Sequence, residues 1–224
     1  MPQMAMLPPA QQKLWPELRP AAKLGFVLYR GTAIALRLGH RPSVDFDFFS
    51  ERPLERESIA AALPFFSQST VLQDAENTLV ILVPCNPPPG GLERSHIKVA
   101  FFGSIGFGRV GEPDMTDDGV LQVASLDDLM ATKVKVVLQR AEAKDYRDIA
   151  TMINAGVSLA KGLAAAREIF GRNFQPSESL KAMVYFEGGD LHELTNLEKH
   201  TLVNAVSAVH ELPRVTVLSK RLAA

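Results

Sequence analysis

The run Ser43-Val44-Asp45-Phe46-Asp47-Phe48-Phe49 alternates charged and apolar side chains with a period of two, a pattern that fits a β-strand and little else. Strand side chains alternate faces, so Val44, Phe46 and Phe48 are predicted to enter a core. Asp45 and Asp47 then project together from the other face, about 7 Å apart along the backbone. Two carboxylates on one side of a strand suggest a divalent-metal site; a solvated strand face is the alternative, because charged residues are mostly just exposed. What precedes the strand favours the first reading. Phe26-Val27-Leu28-Tyr29 reads as a short strand, Gly31-Thr32 opens a helix to Leu38, and Gly39 ends it. A glycine and a hydroxyl residue at a helix start offer unpaired N–H groups, a side-chain donor and the positive end of the helix dipole, an arrangement suited to phosphate. Capping alone accounts for many such pairs. Strand, Gly-Thr, helix and acidic strand together predict a cleft for a nucleoside triphosphate with Mg²⁺.

The rest of the chain divides by texture. Gln11 to Ala22 reads as an amphipathic helix despite Pro16, and Leu54 to Leu63 as another. Strands are predicted over Ser69-Leu72, Thr78-Val83 and His96-Phe102, with Pro87-Pro88-Pro89-Gly90-Gly91 as a turn or small loop between the last two. From Ser125 the periodicity becomes helical: Ser125 to Arg140, Lys144 to Ile153, Ser158 to Phe170, Pro176 to Phe186 and Thr195 to Val209. Ser125-Leu126-Asp127-Asp128 comes close to a capping box, with Asp in the Glu/Gln place. The expected fold is α+β: a mixed sheet with flanking helices over residues 1–120 and a helical bundle over 121–224 that completes the cleft.

Composition sets the outer limits. The 24 Lys and Arg against 25 Asp and Glu leave a formal charge of −1, so no whole-surface affinity for nucleic acid is expected. Cys85 is the only cysteine, which excludes an intrachain disulfide framework and a cysteine-based metal cluster and suits a reducing cytoplasm. The start of the chain lacks a charged region and carries prolines where a signal peptide needs an apolar helix. No run reaches the roughly 18 apolar residues that span a bilayer. A cytoplasmic protein with no membrane partner is expected.

The stretch Gly25 to Phe49, with Tyr29-Arg30-Gly31-Thr32 and Asp45-Phe46-Asp47 within it, resembles the first motif of the AbiEii/AbiGii toxin family, nucleotidyltransferase-like proteins of the polymerase β superfamily. Ala124-Ser125-Leu126-Asp127-Asp128-Leu129-Met130-Ala131-Thr132-Lys133, continuing through Lys144-Asp145-Tyr146-Arg147-Asp148-Ile149, resembles the family's helical motif, and the likeness spans roughly residues 10 to 210. The resemblance implies a Mg²⁺-dependent nucleotidyltransferase of toxin–antitoxin or abortive-infection type that moves NMP from an NTP to an acceptor, with tRNA ends as acceptor in some relatives and an antitoxin protein as partner. Carried over by position, it makes Asp45 and Asp47 the metal ligands and catalytic carboxylates. It assigns Gly31 and Thr32 to the phosphate-binding turn and Lys133 to the triphosphate as a catalytic cation. Asp145 and Asp148 match acidic positions on the following helix; with them, Lys144 and, in the loop before the acidic strand, Arg41 and Ser43 make up the expected nucleotide-binding set, where Arg41 either meets a phosphate or pairs with Asp45 or Asp47. For Lys144, Arg147 and Asp148 a solvated helix face with local ion pairs is the competing reading.

Two positions depart from the family pattern. Arg30 stands where the family commonly has the first glycine of Gly-Gly-Thr, which adds a cation and removes backbone freedom. In Lys98-Val99-Ala100-Phe101-Phe102, the plausible place for a third carboxylate is Ala100. They keep open a degenerate fold that only binds nucleotide, RNA or antitoxin. An aminoglycoside-type small-molecule nucleotidyltransferase would share the metal site and differ in the acceptor cleft.

Overall fold

The computed structural model describes residues 3–85 and 96–224 and divides the chain into two compact units. The turn expected over residues 87–91 lies outside the described residues. The fold is α+β. One unit comprises residues 1–106, 112–124 and 220–224; the other comprises 107–111 and 125–219.

The first unit is built on a seven-stranded mixed sheet. Its strands are β1 (Val27–Tyr29), β2 (Asp45–Phe49), β3 (Thr70–Ala75), β4 (Thr78–Pro84), β5 (His96–Phe102), β6 (Asp114–Met115) and β7 (Gln122–Val123), in the order β3-β4-β5-β2-β1-β7-β6. β2 runs parallel to β5 and antiparallel to β1. The two-residue strands β6 and β7 are absent from the sequence expectation, because two residues are too few to display a period. Where one helix was expected over residues 11–22, the chain forms α1 (Pro9–Leu14), a 3₁₀ turn (Trp15–Leu18) and α2 (Arg19–Lys23). Pro16 and Pro20 explain the break: each lacks an N–H and crowds the preceding turn. Helices α3 (Arg30–Leu38) and α4 (Arg56–Ala62) complete this unit.

Phe46, Phe48 and Phe101 are fully buried on one sheet face. The Phe48 and Phe101 rings stack at 5.3 Å, and Phe26 meets Phe101 edge-on at 5.1 Å. Gly39 ends α3 in the left-handed conformation (φ 65°), with its N–H bonded to the Ala35 carbonyl. Arg37, in the last turn of α3, donates to the carbonyls of Val123 and Ala124 and pairs with Asp114 at 2.9 Å, which ties the helix to β6 and β7.

The second unit contains α5 (Leu126–Val136), α6 (Ala143–Asn154), α7 (Leu159–Phe170), α8 (Pro176–Val184) and α9 (Asn196–Ser207). Ser125 caps α5 by accepting the Asp128 N–H. The buried Asp128 carboxylate accepts the hydroxyl of Ser125 at 2.6 Å and the N–H groups of Val110 and Gly111. Burial pushes its carboxyl up from the ordinary aspartate value. A full capping box does form at Thr195 and Glu198, and Glu198 also receives the Arg147 guanidinium at 2.8 Å.

The buried charge of this unit is concentrated on α5 and α6. Lys133 Nζ lies 2.5 Å from Asp145 Oδ1 and 2.6 Å from Asp148 Oδ2, and Arg140 Nε adds a 2.7 Å bond to Asp145 Oδ2. Burial pushes the Asp145 carboxyl up, but Lys133 and Arg140 outweigh it and hold the group below the ordinary aspartate value. Removing Lys133 takes a shared cation away from two buried carboxylates, so Lys133→Ala is expected to lower unfolding stability by about 3–5 kcal/mol. A loss below about 1 kcal/mol in urea titration would contradict the network's role. Because the folded pKa of Asp145 is depressed, its stabilisation is complete above the ordinary aspartate value and is lost as pH falls through the lower folded value. Asp145→Asn should therefore flatten the dependence of melting temperature on pH across that acidic window.

Candidate active site

β2 carries the candidate chemistry, and its neighbours are fixed by register. Asp45 faces Lys98 and Asp47 faces Ala100 across the parallel β2–β5 ladder, while Tyr29 of β1 pairs with Asp47 on the other side. Paired residues share a face, so Asp45, Asp47, Lys98, Ala100 and Tyr29 stand on the side opposite the Phe46–Phe48–Phe101 core. Ala100, buried beside Asp47, supplies no carboxylate there.

Each carboxylate of the pair meets a cation. Lys98 Nζ lies 2.9 Å from Asp45 Oδ2, and Arg30 Nη1 donates to Asp47 Oδ1 at 3.1 Å. The Arg30 guanidinium also rests 4.7 Å from the Phe102 ring centre and 5.4 Å from that of Phe49. Phe49 in turn stacks on Tyr29 at 4.9 Å. Arg30 holds this place with φ 61°, the left-handed region. That conformation costs a non-glycine residue about 1–2 kcal/mol. The backbone has thus kept the shape a glycine would favour, and the arginine side chain is anchored by two rings and a carboxylate.

The first turn of α3 adjoins this face. No side chain caps it, so its leading N–H groups and dipole are open to an anion. At Gly31 an added Cβ would lie 2.6 Å from Arg41 Nη2, so the guanidinium lies across the turn where a side chain would otherwise stand. Arg41 and Gly31, both expected in the nucleotide-binding set, are therefore adjacent. Thr32 and Ser43 are buried. Their hydroxyls lie 2.7 Å apart, and Thr32 Oγ1 also donates to the Asp45 carbonyl. They brace the start of α3 against the start of β2 and do not present free hydroxyls. Ser43 is held further by its N–H to the Met6 carbonyl, and the buried Gln11 amide donates to the Val44 carbonyl at 2.8 Å.

The helical motif residues are placed differently. Lys133, Asp145 and Asp148 are engaged with one another in the interior of the helical unit. Lys144 is about half exposed and pairs with Glu142 at 2.6 Å. Sequence reasoning did not single out Lys98 as a site residue. Its signal was available: two positions before Ala100 in an alternating strand, it had to share a face with any residue beside the acidic pair. Arg30 was visible as a departure from pattern, but its bond to Asp47 required the turn geometry.

The two sheet-face carboxylates form an oxygen-only donor set. Among the described residues no group of three or more His, Cys, Asp and Glu is arranged to hold a metal. That set suits Mg²⁺, which binds one or two carboxylates and fills its shell with water and substrate phosphates.

A profile of the family described as "Nucleotidyl transferase AbiEii toxin, Type IV TA system" matches residues 17–208. An uncharacterized protein of Aquifex aeolicus (strain VF5) is 29% identical over 164 residues, which make up 72% of this chain and 74% of that protein. The fold is similar to the crystal structure of a proposed nucleotidyltransferase from H. pylori, with TM-score 0.58 and 17% identity, covering 89% of this chain and 92% of that one. It is also similar to an antigenic nucleotidyltransferase-like protein from Paracoccidioides brasiliensis, with TM-score 0.51 and 16% identity over 90% and 96% of the two chains. The chain belongs to the AbiEii nucleotidyl transferase toxin family.

Proposed function

We propose that this protein is a Mg²⁺-dependent nucleotidyltransferase that moves NMP from an NTP to an acceptor hydroxyl, with the ends of tRNA as the acceptor, and that it works as the toxin of a toxin–antitoxin pair in the cytoplasm. The observation that carries the reading is the placement of Asp45 and Asp47 on one strand face beside a helix start without a side-chain cap. The family membership supports the same reaction class. Among the described residues no helix is long and apolar enough to cross a membrane.

Asp45 and Asp47 would hold the metal, which when bound polarises phosphate oxygens and stabilises charge in the transfer. The open N–H groups at the start of α3, with Arg41 across Gly31, bind and orient the triphosphate. Thr32 and Ser43 hold that helix start against β2, so the phosphate site and the carboxylates keep one geometry. An acceptor hydroxyl attacks the α-phosphorus, forms the new P–O bond and loses its proton to water. The bond to the β-phosphate oxygen breaks, and pyrophosphate leaves with the electron pair. Lys133 would support this reaction by holding the helical unit together through Asp145 and Asp148.

A silent binding module is the second reading, favoured by Ala100 beside Asp47 and by the cations already on both carboxylates. Transfer of label from each α-labelled NTP to total tRNA with Mg²⁺ separates the two. The expected result is incorporation from at least one nucleotide, reduced by about 10²-fold or more in Asp47→Asn, which keeps the shape of the side chain and removes its charge. Circular dichroism should show the variant folded. Incorporation that survives in Asp47→Asn would sink the assignment.

A further inference from the structure

The ion pairs of the two units differ in what they can release. Lys133 and its carboxylate partners are 5% and 0% exposed, so none can leave without stranding a buried charge. Arg30 and Lys98 are 46% and 38% exposed, so both cations reach solvent, while Asp47 and Asp45 are 11% and 29% exposed and call for another cation when these leave. Arg30 also has a second anchorage on the Phe49 and Phe102 rings, which does not depend on Asp47. On the sheet face Arg30 and Lys98 each meet one of the two carboxylates, and the Arg41 guanidinium lies over Gly31. Cations held against the carboxylates oppose a lone divalent cation and favour a polyanion.

We propose that Arg30 and Lys98 are resident counter-cations of the acidic pair, which keep a divalent metal out until a triphosphate arrives to take them over. Metal and nucleotide then bind as one coupled event: the phosphate oxygens give the guanidinium and the ammonium new partners, and the carboxylates are released to the metal. Arg30 is suited to this exchange because its planar donor fork matches phosphate oxygens as well as carboxylate. The inference rests on the nucleotidyltransferase reading for the identity of the polyanion, and on the ion pairs themselves for the exclusion of metal.

The test is Mn²⁺ binding to the full chain, followed by the electron paramagnetic resonance of free Mn²⁺, with and without a non-hydrolysable NTP analogue. Arg30→Gly relieves the left-handed strain at φ 61° and should fold; Lys98→Ala removes a half-exposed side chain. For the wild type, Mn²⁺ alone should bind at least about tenfold more weakly than Mn²⁺ with the analogue. In the double variant Mn²⁺ alone should bind at least about tenfold more tightly than in the wild type, and the analogue should add little. Asp47→Asn should remove the tight metal binding in both backgrounds. Equal Mn²⁺ affinity in the wild type and the double variant would overturn the proposal. A tightened double variant with no analogue binding in any protein would support the counter-cation role and count against the nucleotidyltransferase reading.

Discussion

The alternation along β2 is the constraint on which the site depends. Phe46 and Phe48 are fully buried, and a shift of one residue would expose both rings and drive Asp45 and Asp47 into the core. The aromatic side of the strand therefore fixes the register, and the register alone brings Lys98 beside Asp45 and Ala100 beside Asp47. The start of α3 is held to the same strand through Thr32, Ser43 and the Asp45 carbonyl. Core packing on one face is thus converted into placement of charge on the other.

Electrostatics sorts the charged residues by what they can do. The Lys133–Asp145–Asp148 cluster is sealed, so its main effect is to pin α5 to α6, and it resists any rearrangement that would leave a carboxylate unpaired. On the sheet face the cations Arg30 and Lys98 are part-exposed, and the Lys98–Asp45 pair is open enough to be worth little as a stabiliser, although Asp47 is buried. Cations that reach solvent are suited to exchange with a ligand. Arg30 lies between these extremes: it is strained in its backbone, anchored on two aromatic rings and bonded to Asp47. Strain of this kind persists only where surrounding contacts fix it, and it concentrates at functional positions.

Much of this was legible in the sequence, for physical reasons that differ by element. The acidic strand, the helix from Gly31, the strands at 78–83 and 96–102 and the helical second half all carry long periodic patterns, which single residues cannot mask. Gly39 announced the end of α3, because only a residue tolerant of positive φ serves there. β6 and β7 were invisible because they are held by neighbours rather than by pattern. Thr32 and Ser43 carried a second ambiguity: a hydroxyl at a helix start can bind a ligand or brace the chain, and sequence contains no signal for which way it points. Lys133 was recognisable as a special lysine from its motif, yet its burial between two aspartates is a tertiary fact.

The central claim is that the Asp45–Asp47 face binds an NTP together with Mg²⁺. The most direct measurement is the melting temperature of the wild-type protein and of the Asp45→Asn/Asp47→Asn variant with each NTP, with and without Mg²⁺. A ligand that binds only the native state at 100 times its Kd stabilises it by about 2.7 kcal/mol, which a melting curve resolves easily. The account predicts stabilisation of the wild type by at least one NTP, dependent on Mg²⁺ and abolished in the variant. Stabilisation by no NTP, or by one that is unaffected by loss of both carboxylates, would contradict it.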